Sequence, residues 1–326
     1  MQRVNTMDGH FLQEADKVQD CCGDALFVLK QRTREGAKRR FCRLGDTVKN
    51  RLEYELEIIK ATNTAKLFLC WSDVVSAIKQ IVWPYIDSVQ NCSLVSYCLG
   101  ITEVNPLKTG SYFERLLNRQ SAHVPVLFIE VPRGQREELR ECLKEKAFIE
   151  IAENAARPDL PVKAAIAFFE GQTYEDKEIL RRAAASLEFD GQRKPPETLG
   201  ELTDLLVRKR YAEFTDEKAS LLYQEDAVGL LVNAGLTCEE AECARRAFAK
   251  KNRREINFYR GVFGQTARKK GYSTDAANAI FSAVEKEINF TVCRASYVAM
   301  VQYLYMDMFF QKNIGTDRYV YKKIDG

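Results

Sequence analysis

The ten residues HVPVLFIEVP, His123 to Pro132, constrain the fold of this chain more than any other stretch. They are mostly apolar and rich in β-branched side chains, with Pro125 and Pro132 bounding the apolar run and Glu130 near its end. A run this short and this apolar reads as a buried strand. The segments around it carry a helical period instead. In DTVKNRLEYELEIIKA, Val48, Leu52, Leu56 and Ile59 recur at helical spacing, which predicts an amphipathic helix starting near Asp46. SYFERLLN reads as a short helix, and RGQREELRECLKEKAF as a charged one with Leu139, Cys142, Leu143 and Phe148 on its apolar side. From residue 200 onward the chain reads as nearly all helix. Thr237 and Glu240 match a capping box, Ser273 or Thr274 caps STDAANAIFSAVEKEI, and SYVAMVQYLYMDMFF is too apolar for a surface helix. The expected fold class is therefore α+β, with one small sheet among many helices.

The chain has 326 residues, enough for two or three domains. Residues 155–200 gather Pro158, Pro161, Pro195 and Pro196 with Gly171 and Gly191, the best candidate for a boundary. The net charge of +3 is too small to argue for nucleic acid by itself. Ten cysteines, none in a C-x-x-C pair, and two histidines argue against a zinc site, so no metal ligand is assigned. Cys70 and Cys98 sit in apolar runs and read as small core residues. No leader-type apolar region opens the sequence and no run of 18 apolar residues occurs, so a cytoplasmic protein with no membrane contact is expected.

Several segments, in order, resemble the bacterial replicative DNA polymerase III α subunit, the C-family of DNA polymerases. RLEYELEIIK resembles the helix leading into that family's palm. SLVSYCLGITEVNPLKTGSYFERLLN is similar to its SLVAYLLGIT-DPL-LFERFLNP block. LLYQEDAVGLLVNAGLTCEEAECARRAFAKKN resembles its fingers segment, and FTVCRASYVAMVQY stands where the family has FNKSHAAAYALLAY. The resemblance covers roughly residues 29 to 310 and is poor in the middle. It implies a small mixed sheet of nucleotidyltransferase-palm type with flanking helices, then a helical fingers domain. On this basis residues 1–45 form a basic N-terminal segment, 46–157 a palm-like domain, 158–200 a linker or reduced thumb-like region, and 201–326 a fingers-like domain. With two histidines the chain also lacks the side chains for the family's phosphoesterase-like domain, and a reduced palm with fingers is expected.

The resemblance also says what the strand lacks. The family has PDIDIDF directly after its FERFLNP block, and its first two aspartates are catalytic metal ligands. Here those aspartates fall on Val126 and Phe128, and the third on Glu130. Phosphoryl transfer needs two Mg²⁺ ions about 3.5–4 Å apart, held by hard anionic oxygens. Val126 and Phe128 offer none, and one glutamate does not clamp two ions. The Gly-rich GPGRGSAAGS falls on PYIDSVQNCS, where Ser93 alone is kept and Asp87 replaces the arginine. The lysine and histidine of FNKSH fall on Val292 and Arg294. The family's KMDFLGL segment has only SLEFDGQ, with Asp190, as its nearest string. No catalytic residue is assigned and no cofactor is expected. The strand itself is expected to be core.

The retained part is the fingers-like segment. Arg245 to Lys270 holds ten Lys or Arg and one acid, leaving the remainder of the chain net negative. Phe258, Tyr259 and Phe263 interleave with these charges, a mixture suited to a phosphate backbone. Arg245, Arg246, Lys250, Lys251, Arg253 and Arg254 are the expected DNA contacts, with Arg246, Lys250 and Lys251 grouped by helical spacing. Arg115 is shared with the family and also reads as structural. The leading expectation is a catalytically inactive polymerase relative that binds DNA, largely without sequence preference, or a replication or repair protein. One rival is an active polymerase, with Mg²⁺, using Glu130, Glu114 and Asp190 as substitute carboxylates. Another is a scaffold that binds protein only.

Overall fold

A computed structural model describes residues 22–86, 89–120, 124–134, 139, 149–153, 162–171, 176–187, 195–212 and 221–314. Asp87, Asp190 and nearly all of the charged segment 133–148 lie outside the described residues. Helices dominate, as the periodicity predicts, and the sheet is minimal. Strand β1 (Leu127–Val131) pairs in parallel with β2 (Ile149–Glu153), with Leu127 opposite Ile149 and Val131 opposite Glu153. Tyr85 adds one antiparallel bridge on the Glu130 side. The Tyr85 and Glu130 backbones exchange two hydrogen bonds of 2.8 and 2.9 Å.

The N-terminal part is built by α1 (Cys22–Arg40), α2 (Asp46–Ala61), α3 (Ala65–Ile78) and the short α4 (Leu94–Cys98) and α5 (Pro106–Thr109). The predicted start at Asp46 is where α2 begins. Val48, Leu52 and Ile59 of the predicted stripe, with Ile58, are buried with Phe68, Trp71 and Val75 of α3 and with Leu127, Ile129 and Val131 of β1, while Leu56 is half-buried at the edge of this core. Gly36 sits inside α1 despite the helical cost of glycine. A Cβ there would lie 1.8 Å from the carbonyl oxygen of Cys98. Only glycine lets these two backbones touch. SYFERLLN, expected as a short helix, forms a single 3₁₀ turn at Phe113–Arg115.

Within the expected boundary region lie α6 (Val162–Gly171) and α7 (Lys177–Ser186). Phe168, Ile179, Leu180 and Ala183 are buried against α13 (Arg294–Ile314), in one cluster with Val301, Tyr305 and Phe310. The apolar SYVAMVQYLYMDMFF is thus a core helix. Between α7 and α13 run α8 (Leu199–Ala212), α9 (Gln224–Asn233), α10 (Cys238–Ala249), α11 (Arg253–Lys269) and α12 (Thr274–Glu287). The last four enclose their own core of Leu231, Ala244, Phe248, Phe263 and Phe281. The Thr237–Glu240 capping box opens α10, and Ser273 caps α12. Between α10 and α11 the chain turns through Lys251 at φ 54°. The Lys251 and Asn252 amides bond back to the Phe248 and Ala247 carbonyls. This is a Schellman closure with lysine where glycine is usual.

Candidate functional site

Val126 directly precedes β1 and, like Phe128 and Glu130 along the strand, is half-buried. Leu127, Ile129 and Val131 point the other way and are fully buried. The strand is therefore two-faced, unlike the all-core strand that its apolar composition predicts. The positions that the resemblance aligns with metal ligands are on the accessible side. Gln90 donates its side-chain amide to the Val126 carbonyl at 3.2 Å, and the Tyr85 backbone bridges Glu130. Glu114 is 1% exposed and accepts a hydrogen bond from the Tyr54 hydroxyl. Burial pushes its carboxyl above the ordinary range.

Ser93, the residue kept from the Gly-rich motif, has a structural setting. Its hydroxyl donates to Glu55 at 2.8 Å and accepts from the Ser96 amide at 3.0 Å. The fully buried Glu55 carboxylate also accepts the Leu94 and Val95 amides at 2.8 and 2.9 Å. Arg51 closes the knot. It donates to Glu55 at 2.7 Å and to the Cys92 and Ser111 carbonyls at 3.1 and 2.9 Å. An i, i+4 pair on α2 thus anchors the chain leading towards β1.

The basic segment divides into two sets. Arg245 makes two 2.7 Å hydrogen bonds to Glu242, which is 1% exposed. Arg246 also bonds Glu242, at 3.0 Å, and donates to the carbonyls of Glu114 and Arg115 at 3.3 and 3.0 Å. Burial would raise the Glu242 carboxyl, but Arg245, Arg115 and Arg246 outweigh it and hold the group below its usual value. Arg246 ties α10 to the Phe113–Arg115 turn. Lys250, Lys251, Arg253 and Arg254 are exposed. Arg253 pairs with Glu285 at 3.1 Å. Lys250, Lys251 and Arg254 have no ion-pair partner among the described residues. Phe258, one turn after Arg254, is 63% exposed. The expected trio of Arg246, Lys250 and Lys251 is thus split, since Arg246 turns inward to a carboxylate four residues before it. The Glu242 spacing in the sequence signals that pairing.

Sequence reasoning missed a buried cluster where the two halves of the chain meet. Cys92 ends a 3₁₀ turn, Glu225 lies in the first turn of α9, and Cys293 directly precedes α13. One ligand atom from each lies within 4.8 Å of the others. The Cys293 thiol donates to Glu225 at 3.4 Å, and the Arg294 amide donates to both Glu225 oxygens at 3.1 and 3.0 Å. Burial pushes the Glu225 carboxyl up to about 8. The hydrogen bond between the two thiols pushes Cys92 up and holds Cys293 down. Arg115 stands beside them. Burial would lower its pKa, but Cys293, Cys92, Glu242 and Glu225 reverse that and keep it charged. Its side chain donates to Gln224, and its buried Nε has no hydrogen-bond partner.

The described elements form a helix-rich chain with one two-stranded parallel sheet. Residues 27–191, just over half of the chain, match the family described as bacterial DNA polymerase III alpha NTPase domain, and the chain belongs to that family. It is 38% identical over 121 residues to an error-prone DNA polymerase of Burkholderia mallei, covering 36% of this chain and 11% of that protein. It is 37% identical over 99 residues to the DNA polymerase III subunit alpha of Aquifex aeolicus, covering 29% and 8%. Against the corresponding subunit of Bacillus subtilis it is 32% identical over 136 residues, covering 40% and 12%. The matches thus span about a tenth of the length of these relatives. No described helix is long and apolar enough to cross a membrane.

Proposed function

We propose that this chain is a catalytically inactive relative of the C-family polymerase that holds DNA by its phosphate backbone. The observation that carries the reading is the accessible face of β1, which sets Val126 and Phe128 beside Glu130. An Mg²⁺ pair does not fit that face. Two hard cations need several anionic oxygens, and two of the three aligned side chains are hydrocarbon. Of the acids offered as substitutes, Glu114 is buried and already accepts a hydrogen bond from Tyr54. Residues 46–157 then serve as a palm-like support, and 201–326 as a fingers-like body that carries the contact surface. That surface is Lys250, Lys251 and Arg254 with exposed Phe258, three cations and a ring suited to phosphates and a base.

Two measurements test this reading. Primer extension with Mg²⁺ or Mn²⁺ should stay at background, and extension that disappears in Glu130→Gln would establish the active-polymerase alternative. DNA affinity should fall with salt. The variant Lys250→Ala, Lys251→Asn, Arg254→Ala removes three charges and keeps a residue tolerant of positive φ at 251. It should flatten the slope of log K against log salt by about 2.7 on duplex DNA. The loss should be alike on all sequences, because phosphate contacts position without reading bases. Unchanged affinity and slope would reduce the basic segment to a solvated face and favour the protein-only scaffold.

A further inference from the structure

The buried cluster at Cys92, Glu225 and Cys293 has the chemistry of a cation site, and it is independent of DNA binding. We propose that these three residues bind one thiophilic divalent cation of the zinc type. Zinc takes thiolate sulfur at about 2.3 Å and carboxylate oxygen at about 2.0–2.2 Å, which puts neighbouring ligand atoms roughly 3.5 Å apart in a tetrahedron. The Cys293 sulfur and the Glu225 oxygen are 3.4 Å apart, and all three ligand atoms lie within 4.8 Å of one another. Small side-chain rotations convert this hydrogen-bonded set into three corners of such a site.

The surroundings fit the cation in two further ways. The Glu225 carboxylate is oriented by the Arg294 amide, and the Cys293 sulfur by Ser296, the outer contacts that fix metal ligands in place. Arg115 supplies a buried positive charge whose Nε has no hydrogen-bond partner. Two thiolates, one carboxylate, a divalent cation and one guanidinium sum to zero charge. A buried site needs that balance, because an uncompensated charge there is strongly disfavoured. The ligands come from residues 92, 225 and 293, so the cation would clip the end of the Val89–Cys92 turn to the starts of α9 and α13. No motif with short spacing announces such a site, which is why the sequence argued against zinc.

The test is a Co²⁺ titration of the reduced, chelator-treated full chain under anaerobic conditions. A thiolate-to-cobalt charge-transfer absorption saturating at one equivalent, and bleached by Zn²⁺, is the expected result. Cys92→Ser and Cys293→Ser should each abolish it. If either serine variant fails to fold, Glu225→Gln supplies the reading. It keeps both sulfurs and the side-chain shape, so the absorption should persist while affinity drops by about tenfold or more, as for the loss of lesser contacts around a metal. Absence of the band at one equivalent overturns the proposal. So does a band that survives in folded Cys92→Ser and Cys293→Ser, since another thiol such as exposed Cys42 would then be its source. A Cys92–Cys293 disulfide in peptide maps, together with no cobalt uptake after reduction, also overturns it in favour of a redox latch.

Discussion

At the scale of single residues, Glu242 shows how a sequence can be read too literally. Its neighbours Arg245 and Arg246 look like free cations in a basic run, yet both are held inward by one buried carboxylate. Removing one partner of a buried pair typically costs about 3–5 kcal/mol, because the charges left behind remain desolvated. Glu242→Ala should therefore lower stability by about 3 kcal/mol in urea unfolding, near the lower end because both arginines keep some water. The folded carboxyl is held below its ordinary value, so its contribution is complete above the unfolded value of about 4.3 and is lost as pH falls through the lower folded value. The stability gap between parent and variant should accordingly be widest near neutral pH and close towards acid. A gap that is flat across that range would show that the carboxylate does little for the fold. The i, i+3 and i, i+4 spacing of these residues was legible. The meeting of Cys92, Glu225 and Cys293 was not, because nothing local links positions so far apart.

At the scale of elements, local rules carried the reading far. The capping box begins α10 and Ser273 begins α12, each because a side chain accepts from amides that a helix start leaves open, while α2 begins at Asp46 with no side-chain cap and only a favourable charge in its first turn. Tertiary contacts decided the rest. Gly36 is unfavourable in a helix by propensity, yet α1 needs it to meet the Cys98 carbonyl. Gly36→Ala should destabilise by about 1–3 kcal/mol, although alanine is the better helix former. A calorimetric midpoint equal to or above the parent's would contradict that packing. The strand gave a similar lesson. An apolar run does not reveal which face meets water, and Phe128 of β1, like Val126 just before it, is only half-buried. Val126→Asp with Phe128→Asp should thus cost only about 2 kcal/mol, less than two fully buried carboxylates would. It should not create primer extension, because the Gly-rich phosphate loop is also absent. A loss well beyond that, measured by urea midpoint, would place these side chains in the core after all.

At the scale of the whole molecule, the sequence indicated a helix-rich α+β chain of polymerase ancestry, and both statements hold. It did not indicate how the parts are joined, since the joints are contacts between distant segments. Asn118 donates to the Glu239 carbonyl at 3.2 Å, Arg119 pairs with Glu239 at 2.9 Å, and Arg246 reaches two carbonyls of the Phe113–Arg115 turn. Helix α10 is thereby pinned at both ends to the body that carries β1. A surface held in this way is already in its final shape before a partner arrives. The proposed engagement with a polyanion would involve little ordering of the chain and little removal of hydrocarbon from water. Calorimetric titrations at several temperatures should therefore give nearly the same heat, with a heat-capacity change close to zero. A large negative value would mean that a segment folds onto the ligand, and the pinned helix would then not be the part that makes the grip.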